Sequence, residues 1–164
     1  MSILQSSLRA AAGRSTIQKS VTARVGQRTA FLCHSHVDAT LALGLQQTLR
    51  EHGLDLYIDW QDSAMPDSPN AETAARLRLR IRQAELFFFL ATSNSMSSRW
   101  CPWELGFADS TKDNRNILVV PTSDGYSTHG SEYLQLYRRV DFAESNALGV
   151  FPPGANQGIF AKNL

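Results

Sequence analysis

The chain has 164 residues, 43% of them hydrophobic and 19% charged, with a net charge of +1. That length suits one domain with a sizeable core, and that balance argues against wholesale disorder. Near-zero charge gives no general pull toward nucleic acid or an anionic membrane, so neither is expected as a partner.

Two cysteines, Cys33 and Cys101, make no disulfide framework and point to a reducing compartment, read as the cytoplasm. The longest apolar run, "LFFFLA" (86–91), is too short to span a bilayer, and the N-terminus lacks the apolar core of a secretory signal. The first acid is Asp38, while Arg9, Arg14, Lys19, Arg24 and Arg28 precede it. This acid-poor start resembles an organellar transit peptide in composition. The four-residue spacing of Leu4 and Leu8, then of Ile17, Val21 and Val25, favours an amphipathic helix with a break at Gly13. The chain therefore reads as a basic helical extension over residues 1–27 and a domain over 28–164.

From residue 29 strand and helix alternate. "TAFLCH" (29–34) has strand length. "DATLALGLQQTLREHG" (38–53) places Leu41, Leu45 and Leu49 on one helical face, with Asp38 to cap the start and Gly53 to end it. "LDLYIDW" (54–60) alternates as a strand does. A loop with Pro66 and Pro69 leads to Asn70, a cap for a helix to about Gln83 with Ala74, Leu77 and Ile81 toward the core. "LFFFLAT" reads as a strand buried on both faces. After a Ser-rich loop, Pro102 belongs in the first turn of the next helix, because it has no backbone donor. "NILVVPT" (116–122) is a fourth strand; beyond Gly125 "EYLQLYRRVDF" fits a helix, a strand or both. The expected fold is an α/β three-layer sandwich, flavodoxin-like, with a central parallel sheet of four to five strands. Ligands of such sheets bind outside the carboxyl ends of the strands.

One carboxylate stands out. "SSRWCPWELGF" (97–107) sets Glu104 among Trp100, Cys101, Pro102, Trp103 and Phe107. Burying an acid there is expensive unless it is paired or used. The plain reading is a capping-box acid at a helix start. His34 and His36 beside Cys33 make a poor metal site, with three possible ligands in four residues and no second cluster. No metal is expected. A Gly-rich phosphate cradle is missing too, which argues against dinucleotide binding of the dehydrogenase kind.

The stretches "TAFLCHSHVD", "LYIDWQDSAMP" and "SMSSRWCPWELGFAD" resemble, in order and spacing, the three signature stretches of TIR (Toll/interleukin receptor) domains, above all stand-alone bacterial members. The resemblance covers about residues 29–122. It implies an enzyme that cleaves the nicotinamide–ribose bond of NAD, with NAD as substrate and no cofactor. It assigns Glu104 as catalytic residue, places Trp100 four residues before it, and puts His34 and Ser35 in a loop bordering the NAD site. Trp60 and Cys101 are further candidates for the substrate pocket. The loop from Trp60 to Asn70 matches the family's mobile BB loop, which implies homo-oligomers through TIR–TIR contacts. The resemblance also implies antiviral defence, by NAD depletion or by a cyclic or rearranged ADP-ribose signal sensed by a downstream effector. Two rivals remain: a non-catalytic interaction module, and a nucleoside deoxyribosyltransferase-like enzyme with a glutamate nucleophile.

Overall fold

A computed structural model describes residues 2–16, 23–59 and 70–164. Its frame is built on apolar strands. β2 (Arg28–Cys33), β3 (Leu56–Asp59), β4 (Leu86–Ala91), β5 (Ile117–Ser123) and β7 (Arg138–Phe142) run parallel in the order β3-β2-β4-β5-β7. Counting only these five, the order is 2-1-3-4-5, the flavodoxin order, in which the chain reverses direction between the first and third strands. That is the expected α/β class.

Alternation along each strand builds two cores. Ala30, Leu32, Leu86, Phe88, Leu90, Leu118 and Val120 face one side; Phe31, Cys33, Phe87, Phe89, Ala91, Ile117 and Val119 face the other. Because both faces are covered, the runs are apolar throughout. The first face is covered by α2 (Ala39–Glu51), whose Leu41, Leu45 and Leu49 are buried as the stripe implies. The second carries α3 (Ala71–Gln83) and α5 (Cys101–Thr111). The Asn70 side chain accepts from the Thr73 N–H at 2.8 Å, so it caps α3 as expected.

The N-terminal segment departs from the helical reading at both ends. Leu4 lies in a short strand, β1 (Ile3–Leu4), and is half exposed; Val25 sits in a turn and is fully exposed. Ile17 and Val21 lie outside the described residues. Between them α1 (Gln5–Arg14) packs on α2 so closely that a Cβ at Gly44 would sit 1.9 Å from the Leu8 carbonyl oxygen. β1 pairs with the end of β5, Ile3 beside Thr122, and the Gln5 amide donates to the Thr122 hydroxyl. Thr122 in turn donates to the Ala91 carbonyl, tying the extension to the ends of β4 and β5. Past β5, β6 (Thr128–His129) folds back on it, and β8 (Leu148–Phe151) and β9 (Ile159–Phe160) extend the sheet antiparallel beyond β7. The ambiguous stretch after Gly125 resolves into a 3-10 turn (Glu132–Leu136) followed by β7.

Candidate active site

The site lies where the sheet order reverses, at the carboxyl ends of β2 and β4. After β4, a short helix α4 (Ser93–Ser97) opens on a reciprocal cap: Ser95 N–H donates to the Thr92 hydroxyl, and Thr92 N–H to the Ser95 hydroxyl. The Ser98 hydroxyl then accepts from the backbone N–H groups of Trp100 and Cys101 and starts α5. Pro102 falls in its first turn, where the missing donor does no harm. Trp100 is therefore the cap residue, and its carbonyl accepts from Glu104 N–H at 2.8 Å.

Glu104 is 0% exposed. It sits in the first turn of α5, where the helix field favours an ionised acid by about 0.3–1 kcal/mol. It neighbours the Cys33 thiol, at the end of β2. The Cys33 thiol also points to the Cys101 carbonyl at 3.7 Å. Burial pushes this thiol well above its ordinary range, helped by its bond to Cys101 and by the Glu104 charge. Cys101 is buried beside it and lowered, chiefly by the neighbouring Cys33 side chain. Cys33 is thus a neutral thiol that donates to a backbone carbonyl, not a nucleophile.

The loop after β2 forms the other wall. His34 is buried, with Nδ1 3.0 Å from the Leu32 carbonyl; a carbonyl only accepts, so Nδ1 carries the proton. Ser35 is half buried and its carbonyl accepts from Asp38 N–H at 2.9 Å. Asp38 does not cap α2 as its position suggests. Its carboxylate turns instead to the segment after β4, accepting from the Thr92 hydroxyl at 2.6 Å and the Asn94 amide at 2.8 Å. Trp60 and the loop to residue 69 lie outside the described residues.

Trp100 is half buried and meets Trp103 edge-on, with centroids 5.6 Å apart. Trp103 stacks on Phe107, and Arg78 and Arg82 of α3 lie over these rings at 5.3 Å, so the outer side of α5 is an aromatic–guanidinium ladder. The structure therefore gathers Glu104 and Cys101 on the start of α5 with Trp100 at its cap, and sets His34 and Ser35 on the adjoining loop. Sequence reasoning missed Cys33 as a neighbour of Glu104, and Thr92, Asn94 and Ser98 as supports. The one signal for these was position: Cys33 and Thr92 stand at strand ends, and Asn94 and Ser98 in or beside the short helix that follows β4.

Fold and site together define an α/β domain that holds a buried carboxylate in the first turn of a helix, at the edge of a parallel sheet where such folds receive ligands. The chain belongs to the TIR domain family, whose model matches residues 30–149. It is 40% identical over 110 residues to "Probable 3' cyclic ADP-D-ribose synthase ThsB'" of Bacillus cereus (strain MSX-D12), across 65% of this chain and 57% of that protein. It is 25% identical over 97 residues to "Putative cyclic ADP-D-ribose synthase TIR2" of Cytobacillus dafuensis, across 57% of this chain and 25% of that protein. The chain spans less than two thirds of the length of either relative.

Proposed function

We propose that this chain cleaves the nicotinamide–ribose bond of NAD and releases nicotinamide with a cyclic or linear ADP-ribose, as an enzyme of bacterial antiviral defence. The observation that carries the reading is Glu104 in the first turn of α5, one turn after Trp100, at the reversal point of the sheet. The two relatives, both named as cyclic ADP-ribose synthases, support it.

The chemistry suits a single acid. When the C1′–N bond breaks, its electron pair goes to the pyridinium nitrogen and nicotinamide leaves neutral, so no proton donor is required. The ribose left behind is cationic, and one ionised carboxylate stabilises it, whereas ordinary glycosides call for two carboxyls. Capture by water gives ADP-ribose and a proton; capture by a hydroxyl of the same molecule gives a cyclic product and the same proton. Trp100 offers a flat face for a planar ring. His34, Ser35, Cys101 and Trp60 are the proposed remaining contacts.

Glu104 is fully enclosed, so it meets substrate only after its cover opens. We assign that opening to self-association through the loop from Trp60 to Asn70, with the product read by a separate effector in the cytoplasm. No helix among the described residues is long and apolar enough to cross a membrane. The same enclosure favours a second reading, a scaffold that never exposes its acid. Incubation of concentrated protein with NAD, followed by mass spectrometry of the products, separates the two. Nicotinamide release that Glu104→Gln abolishes is the expected result; turnover unchanged in that variant, or none in the wild type, overturns the enzyme reading.

A further inference from the structure

The loop after β2 and the segment after β4 meet at the reversal point of the sheet, and one side chain joins them. Asp38 is 4% exposed and stands directly before α2, where a carboxylate ordinarily accepts from the helix's first free N–H groups. It makes no such bond. One oxygen accepts from the Thr92 hydroxyl and the other from the Asn94 amide, both on the segment that leads to Trp100 and Glu104. Its own N–H closes the turn on Ser35. Among the described residues both oxygens meet neutral donors only. A buried acid that forgoes its local helix bonds for two long-range ones is a tie between loops.

We propose that Asp38 is a positioning residue of the Glu104 site, holding the loop of His34 and Ser35 in register with the start of α5. This rests on the NAD-cleaving function proposed above. A substrate that touches both loops reaches reacting geometry only if they keep their spacing, and a misplacement of about 1 Å costs up to about 100-fold in rate. The tie lies apart from the acid itself. Asp38 acts through the loops and touches no reacting atom.

The test removes the tie and then restores most of it. Asp38→Ala takes the acceptor away from both the Thr92 hydroxyl and the Asn94 amide. Asp38→Asn keeps the shape and still bonds both neighbours, its carbonyl oxygen accepting from one and its NH2 donating to the other. Steady-state NAD cleavage is measured well below each variant's melting temperature, beside Ile81→Val as a mildly destabilised control from the α3 core. We expect kcat of Asp38→Ala to fall about 10- to 100-fold with KM changed less than about 3-fold. Asp38→Asn regains at least about fivefold over Asp38→Ala, and Ile81→Val keeps wild-type kcat. Wild-type kcat in Asp38→Ala overturns the proposal, as does an Asp38→Asn variant as slow as Asp38→Ala. A wild type that releases no nicotinamide strikes the parent reading instead, so the two failures are told apart.

Discussion

The two faces of the sheet are built from the same strands yet do different work. The face under α1 and α2 is mostly aliphatic, with Leu8, Leu32, Leu45, Leu49, Leu86, Leu90 and Val120 packed around Phe88 and the partly buried Phe142 at its margin. Even the buried Thr48 spends its hydroxyl on its own helix, donating to the Gly44 carbonyl. The face under α3 and α5 holds Phe31, Phe87 and Phe89, and among them two thiols and the Glu104 carboxylate. One face stores stability in close packing. The other spends some of it on a buried acid, a loss tolerable only where that acid is paired or used. Substitutions on the two faces should therefore separate activity from stability.

The largest expected effect is Glu104→Gln, which should lower nicotinamide release by at least about 100-fold while the melting temperature holds or rises. On the opposite face Gly44→Val should do the reverse. Its side chain meets the Leu8 backbone and destabilises the fold by about 3 kcal/mol, a fall of roughly 6–12 °C in Tm by calorimetry, with kcat of the folded protein unchanged. Equal activity losses in both variants would erase the distinction between the faces. Thr122→Val strips the Gln5 and Ala91 groups of a buried partner and should destabilise by about 1–3 kcal/mol in urea unfolding. Arg78→Ala removes a guanidinium from the Trp103 and Phe107 rings and should cost about 0.5–1 kcal/mol.

The smallest effect concerns acid. Asp124 is held at about 2, below its ordinary 3.8, first by N–H groups of Ser127 and Tyr126 and then by His129. A depressed carboxylate contributes stability that is present above about pH 4 and lost as the pH falls toward 2. Asp124→Asn should flatten the stability curve in that window alone, since the group is exposed; an unchanged curve there would deny the turn any role.

Much of the frame was legible because its signals are local. β4 reads from "LFFFLA", since a strand covered on both sides must be apolar throughout. α2 reads from its leucines, α3 from the Asn70 cap, and α5 from Pro102. Of the candidate site, Glu104 and Trp100 were singled out by their family pattern, and His34 and Ser35 by the family's corresponding loop. Short partners escaped. β1 has two residues and no periodicity, and Thr122, which it meets and which holds the Gln5 amide, lies 117 residues along the chain from Gln5. Asp38 looked like a cap because Thr92 and Asn94, which draw it away, are 54 and 56 residues distant.

Sequence alone determined the alternation of strand and helix, the two-sided burial of the sheet, and a carboxylate placed at a helix start, because apolar period and capping chemistry act between near neighbours. Only the tertiary structure decided that α1 seats its backbone on Gly44, that the Cys33 thiol donates to the Cys101 carbonyl, and that Asp38 leaves its own helix for the opposite loop. Those contacts join groups distant in the chain, and a buried donor or acceptor takes whichever partner folding brings within reach.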